Sequence, residues 1–111
     1  MSDPVFSAND LIRYYNQIEQ NSGGEKETHT FARLFLVPGM NHCSGGPALD
    51  DFDTLGAMQS WVEQDTAPES ILSSGRAFPG RSRPLCAYPR IAEYDGKGNP
   101  EDTSSFSCQV R

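Results

Sequence analysis

The sequence contains no hydrophobic run long enough to cross a membrane. No apolar stretch approaches the ~20 residues that a transmembrane helix needs. It also contains no basic cluster, because 15 acidic residues outnumber nine basic ones and the net charge is −6. Nucleic-acid surfaces need clustered Lys and Arg, so neither a nucleic acid nor a membrane is a predicted partner. The acids are scattered through the chain, and Asp50, Asp51 and Asp53 are most simply interpreted as a solvated surface.

Cysteine is scarce and odd in number, with Cys43, Cys86 and Cys108 as its three members. In an oxidised protein this number predicts one pair and one thiol without a partner in the chain. An apolar leader is missing as well, since Ser2 and Asp3 follow the first methionine directly, so no signal peptide is expected. The length of 111 residues is that of one ordinary domain.

Two stretches have the apolar spacing of amphipathic helices. The first begins at Ser7 or Asn9 and ends in the Ser-Gly-Gly of residues 22–24. The second begins after Asp53, a good N-cap, and runs to about Gln64. The side chains expected to face inward are Leu11, Tyr14, Tyr15 and Ile18 in the first helix and Leu55, Met58, Trp61 and Val62 in the second.

Between these helices, the apolar run of residues 31–37 predicts a strand buried on both faces, as in a parallel sheet. A polar, mobile loop at residues 25–30 is expected before it. A buried strand needs neighbours on both edges, so the chain is interpreted as the end of something larger. After residue 67 the sequence is rich in Gly, Pro, Ser and Arg, which predicts an irregular tail with short extended pieces at 71–72, 85–88 and 91–94.

His42 is the strongest candidate for chemistry, because it follows the predicted strand where open α/β sheets place reactive residues. Asp3 precedes the first helix, and an acid followed by a histidine is the order that α/β-hydrolases show after their nucleophilic serine. In such a pair the carboxylate orients the imidazole, which accepts the serine proton. No Gly-x-Ser-x-Gly motif is present, so a turn-forming Asp and a structural loop histidine remain the alternatives.

Several motifs resemble the C-terminal part of the tannase/feruloyl esterase family, whose members are α/β-hydrolases. The matching strings are SDP at 2–4, YY at 14–15, RLFLVPGMNHC at 33–43, GGP at 45–47, WVE at 61–63 with AP at 67–68, RPLCAYP at 83–89, and the ending from Tyr94 to Cys108. The resemblance covers essentially the whole chain.

This resemblance implies a role for each of five residues. Asp3 corresponds to the triad acid and His42 to the triad base. Cys43 corresponds to a cysteine that bonds the one beside the nucleophilic serine, which would lie upstream, and Cys86 and Cys108 correspond to a second disulfide. The nucleophile, the oxyanion-hole loop and a lid, which in several members holds structural calcium, would also lie upstream. No cofactor or metal is expected in this segment.

The implied fold class is α/β, the C-terminal fragment of an α/β-hydrolase: helix, buried strand, His loop, helix and an irregular, disulfide-stapled tail. Residues 1–66 would carry both triad residues in the hydrolase core, and residues 67–111 would form the tail of the same domain. The parent would be a secreted or periplasmic serine esterase that hydrolyses galloyl or hydroxycinnamoyl esters, which are small aromatic substrates, through an acyl-enzyme. The chain alone is expected to be inactive.

Two alternatives to the esterase interpretation assign the chain a different kind of function. One is a stand-alone, non-catalytic binding or assembly module, which would form a homo-oligomer through the open edge of the strand at 31–37. The other is a zinc site, although the spacings of its candidate ligands match no common pattern. Those ligands are His42, Cys43, Cys86 and Cys108.

Of the remaining candidates, His29 is expected on the surface, and Asp10 is expected in a capping or surface role.

Overall fold

The computed structural model describes residues 7–110 as a mixture of helices and antiparallel sheets. The helices are α1 (Ala8–Asn21), α2 (Glu25–Thr28) and α3 (Thr54–Gln64), and the strands are β1 (Asp51–Phe52), β2 (Ser70–Ser74), β3 (Arg83–Cys86), β4 (Arg90–Tyr94) and β5 (Phe106–Val110). A short 3-10 helix at Thr103–Ser105 precedes β5. Over residues 7–110, none of the helices is long and apolar enough to span a bilayer.

Helices α1 and α3 confirm the two predicted helices. Local hydrogen bonds and backbone conformation determine where α1 ends and where α3 begins. At the C-terminus of α1, the Gly24 amide donates to the carbonyl oxygen of Glu19 at 2.8 Å. Gly23 and Gly24 have φ of +94° and +107°, a region that suits glycine, so the helix cannot continue through them. At the start of α3, the Asp53 carboxylate accepts the Gly56 amide at 2.8 Å, as an N-cap should.

The mobile loop predicted for residues 25–30 is wrong, because these residues form α2 and the turn after it. Thr28 is fully buried, and its hydroxyl donates to the carbonyl oxygen of Gly24 at 2.8 Å. That bond satisfies the one polar group of the Thr28 side chain, so this side chain can be buried although the surrounding sequence is polar. His29 also differs from its predicted surface position, since only 13% of its side chain is exposed and its Nδ1 lies 4.0 Å from Glu25.

The buried parallel strand predicted for residues 31–37 is wrong as well. Phe35 forms a single antiparallel bridge with Ala87, and Phe31 is 58% exposed. The apolar run predicts burial on both faces, but residues 32–37 are only partly buried. It could not indicate which strand would pair with it, because strand pairing depends on residues distant in sequence.

The tail after residue 67 is more regular than predicted, because it holds most of the two sheets. The first sheet has the order β1-β2-β3 and the second consists of β4 and β5, with every ladder antiparallel. The extended pieces expected at 71–72, 85–88 and 91–94 fall on β2, β3 and β4. The sequence hid this regularity, since strands such as SILSS carry little apolar alternation.

The small core lies between α1 and the tail sheets. Tyr15 is 5% exposed, and its ring meets the ring of Tyr88 edge-on at a centroid distance of 5.8 Å. Burial, followed by the nearby Glu19 carboxylate, raises the pKa of the Tyr15 hydroxyl. The apolar residues buried with it are Ala48, Leu85, Cys86 and Ala87.

The apolar faces of α1 and α3 lie largely outside this core. Leu55, Met58 and Val62 of α3 are 79%, 54% and 75% exposed, so their predicted inward position is wrong for these residues. In α1, Leu11 and Tyr14 are at least half exposed. Within residues 7–110, these two faces therefore contribute little to the core.

A disulfide between Cys86 and Cys108 joins the two sheets, because the former lies in β3 and the latter in β5. The pairing that the resemblance implied is thus present. The bond closes 22 residues of sequence and restricts the unfolded chain. Replacing both cysteines by alanine is expected to lower the free energy of unfolding by ~3 kcal/mol. Urea unfolding followed through Trp61, the single tryptophan, measures this change.

The experiment uses the 111-residue chain, and its matched control is Cys43→Ala, which removes a thiol that is free in this chain. An unfolding midpoint in urea that is the same for the double variant and the control would contradict a stabilising role for the Cys86–Cys108 bond.

Candidate active site

Arg33 anchors the chain just before the segment that leads to His42. Its side chain is only 7% exposed and its guanidinium bonds Glu69 at 3.1 Å. The same group donates to the backbone carbonyl oxygen of His29 and lies 5.4 Å from the centroid of the Trp61 ring. A buried, multiply bonded arginine fixes the backbone around it, so the segment after residue 33 starts from a defined position.

The next residues are held against the tail by backbone hydrogen bonds. The Tyr88 amide donates to the carbonyl oxygen of Leu34 at 2.7 Å, and Phe35 bridges Ala87, which is fully buried. The tail therefore supports the segment that leads into the His loop, which comprises residues 38–47.

Glycines close the His loop and leave His42 exposed within it. The Asn41 amide donates to the carbonyl oxygen of Gly45 at 3.0 Å, which closes a narrow turn around His42. Gly39 and Gly46 have φ of +76° and +82°, and a Cβ on Gly46 would lie 2.5 Å from the carbonyl oxygen of Gly39. Only glycine allows the two arms of the loop to approach this closely.

The far end of the loop is fixed to the three-stranded sheet. Ala48 is 2% exposed, and a Cβ on Gly75 would lie 2.7 Å from its carbonyl oxygen. Two residues after Ala48, the carboxylate of the half-buried Asp50 accepts a hydrogen bond from the Gly45 amide at 2.7 Å. An exposed imidazole on a loop held at both ends can exchange protons with a group brought to it, which is what a general base requires.

Asp50 bonds the His loop from outside it, a role that the sequence does not predict because scattered acids are most simply interpreted as a solvated surface. Asp53 is exposed and caps α3, so its predicted N-cap role is confirmed. Glu101 accepts a hydrogen bond from Arg81 at 2.8 Å, and this bond lowers the pKa of the Glu101 carboxyl. No periodicity distinguishes a loop-bonding acid from a solvated one. The one sequence feature that could have indicated the role of Asp50 is its position just after a glycine-rich loop.

Cys43 follows His42 and adopts the left-handed conformation with φ of +67°. Its thiol is free and exposed, and it borders an open groove between α1 and the His loop. The groove is mainly apolar, with Leu11, Tyr14 and Met40 among its lining residues. A residue other than glycine rarely adopts this backbone conformation.

The predicted acid, Asp3, lies outside the described residues, so its position relative to His42 stays a prediction. Asp10, its competitor, lies in the first turn of α1 and pairs with Arg13 at 3.3 Å. Both of these side chains are more than two-thirds exposed, which confirms the surface role expected of Asp10.

A zinc site built on the three cysteines is ruled out, because the disulfide occupies Cys86 and Cys108. Among residues 7–110, no group of three or more His, Cys, Asp or Glu side chains is arranged to hold a metal ion. The calcium expectation concerned sequence outside this chain and stays a prediction.

Comparison with known proteins places this chain in a family. The family model described as "Tannase and feruloyl esterase" matches residues 1–109. The chain is 47% identical to the mono(2-hydroxyethyl) terephthalate hydrolase of Piscinibacter sakaiensis over 97% of its own length and 18% of that protein's. It is 32% identical to a probable feruloyl esterase of Arthroderma benhamiae, with 97% of this chain and 21% of that protein covered.

Solved structures agree with the family match. An esterase from Aspergillus oryzae superposes with a TM-score of 0.80 at 30% identity, over 96% of this chain and 25% of that one. Feruloyl esterase B from the same organism superposes with a TM-score of 0.78 at 25% identity and the same coverage. This chain therefore spans about a fifth to a quarter of the length of these relatives. It belongs to the tannase and feruloyl esterase family, whose members named here are esterases.

Proposed function

We propose that this chain supplies the proton-transfer half of a serine esterase site. His42 would act as general base toward a serine outside these 111 residues, and Asp3 would orient its imidazole. The observation that carries the proposal is an exposed His42 on a glycine-closed loop, within a chain that belongs to an esterase family. The base would remove the serine proton during attack on the ester and return it to the leaving alcohol, so an acyl-enzyme forms and is then hydrolysed by water.

We propose esters of aromatic carboxylic acids as the substrates. The supporting observation is that relatives are named for esters of such acids. One is named for a terephthalate monoester, and others are named for feruloyl esters. Galloyl and hydroxycinnamoyl esters belong to the same chemical class. The acid-binding pocket would be formed by sequence outside this chain.

The exposed apolar faces of α1 and α3 support the proposal that the chain packs on further polypeptide. Solitary exposed apolar residues are ordinary, but Leu55, Met58 and Val62 lie on consecutive turns of one short helix. The remainder of an α/β-hydrolase domain would cover them. The Cys86–Cys108 disulfide supports an oxidising location, either outside the cell or in the periplasm.

The test uses a chimera in which this chain replaces the matching segment of the mono(2-hydroxyethyl) terephthalate hydrolase, where identity is 47% over 114 residues. The chimera is expected to hydrolyse mono(2-hydroxyethyl) terephthalate, since this chain would supply the base that the replaced segment supplied. The 111-residue chain alone is expected not to hydrolyse this ester. A folded chimera without this activity, or turnover by the chain alone, would contradict the proposal.

Cys43 provides a separate prediction, since the resemblance implies that it bonds a cysteine beside the nucleophilic serine. In the chimera, Cys43→Ser is expected to lower the free energy of unfolding by ~2–4 kcal/mol, because the bond ties two distant loops. Peptide mapping without reduction is expected to recover Cys43 in a disulfide with that cysteine. Alkylation of Cys43 in the unreduced, unfolded chimera would contradict the pairing.

A further inference from the structure

We infer that Asp50 is a positioning residue that holds the His loop in its catalytic shape. This inference rests on the proposed function of His42 and assigns a role to a carboxylate that the triad does not use. The observation is one hydrogen bond: Asp50 Oδ2 accepts the Gly45 amide at 2.7 Å. A carboxylate that accepts a backbone amide at this distance makes a charge-assisted bond, which is stronger than a neutral one.

Asp50 can position the loop because its own backbone is fixed. It lies immediately before β1, in which Asp51 pairs with Ser74 and Phe52 pairs with Ser73 of β2. On its other side, the buried Ala48 packs against the backbone at Gly75. The carboxylate therefore extends from the three-stranded sheet to the loop.

The point at which Asp50 contacts the loop makes the bond important for His42. Gly45, which donates to Asp50, also accepts the Asn41 amide at 3.0 Å through its carbonyl oxygen. Both ends of the turn that contains His42 thus meet at Gly45. Without the carboxylate, the Gly45 amide loses this acceptor and the turn loses its bond to the sheet.

The expected effect is on kcat rather than on substrate binding. A displaced imidazole transfers protons less efficiently, and a displacement of about 1 Å can cost ~100-fold in rate. In the chimera, Asp50→Ala is expected to lower kcat by ~10- to 100-fold and to leave KM within about twofold. Asp50→Asn retains an acceptor oxygen, so its kcat is expected to stay within about threefold of the unmodified chimera.

The matched control is Asp51→Ala, which removes the same charge one residue later from an exposed side chain. Its kcat is expected to be unchanged. If Asp50→Asn loses as much activity as Asp50→Ala although hydrogen–deuterium exchange of residues 38–50 stays as slow as in Asp51→Ala, the charge of Asp50 matters rather than its bond to Gly45, and the positioning role is wrong. Equal kcat for Asp50→Ala and Asp51→Ala would contradict it too.

A second measurement decides the question without activity. Hydrogen–deuterium exchange of the peptide covering residues 38–50, in the folded chimera, is expected to be at least about tenfold faster for Asp50→Ala than for Asp51→Ala, because local opening sets exchange. Unchanged exchange would overturn the inference. Faster exchange in a chimera that retains its activity after His42→Ala would uphold the bond to the loop and reject the catalytic role of His42 instead.

Discussion

Replacing His42 by alanine in the chimera is expected to lower kcat/KM by ~10⁴- to 10⁶-fold, the range found when a serine hydrolase loses its general base. The serine hydroxyl would have no group to accept its proton during attack, and the leaving alcohol would have none to donate one. The fall is expected in kcat, with KM little changed, because the imidazole acts in the transition state. Steady-state hydrolysis of mono(2-hydroxyethyl) terephthalate measures both constants.

The chain offers its own control for this experiment, since His29 is its other histidine. His29 directly follows α2 and its side chain is only 13% exposed, whereas His42 is exposed. His29→Gln is expected to keep kcat/KM within about threefold, because the proposed proton transfer does not use His29. If kcat/KM fell to a comparable extent in His42→Ala and His29→Gln, with both chimeras folded, the fall would not depend on proton transfer by His42.

Replacing Asp3 by asparagine is expected to lower kcat of the chimera by ~10⁴-fold, the loss seen when a triad acid becomes an amide. A carboxylate holds the imidazole in the tautomer that can accept the serine proton and stabilises the imidazolium that follows. An amide of the same shape favours the wrong tautomer. The loss is therefore expected with little change in the unfolding temperature, which differential scanning calorimetry measures on the same sample.

Asp10→Asn is the matched control for the acid. Its ion pair with Arg13 joins two side chains that are 71% and 79% exposed, and such pairs contribute little. The control is expected to retain full activity. If Asp10→Asn were inactive while Asp3→Asn remained active, the acid would be Asp10 and the role given to Asp3 would be wrong.

The helices and the candidate base could be predicted from sequence because their signals are local. Asp53 and the glycines at 23–24 determine where α3 begins and α1 ends through bonds to residues a few positions away. His42 stood out because it follows an apolar run, even though that run pairs at Phe35 alone rather than as a parallel strand.

The sheets and the loop contacts could not be predicted, because they depend on pairing between distant residues. Ser70 opposes Cys86 and Ala92 opposes Cys108 in ladders whose strands carry no strong alternation. His29 is placed by the short helix α2, which the polar sequence of residues 25–30 does not indicate. The bond from Asp50 to Gly45 depends on where β1 pairs, which no short-range pattern in the sequence records.

The most direct test of the central claim is the rate at which a fluorophosphonate labels the nucleophilic serine of the chimera. This reagent reports activation of the serine and is independent of the choice of ester substrate. The proposal predicts rapid labelling in the unmodified chimera and in His29→Gln, and a rate at least ~10³-fold lower in His42→Ala, because the serine then lacks its base. Equal labelling rates in folded His42→Ala and unmodified chimeras would contradict the claim that this chain supplies the base.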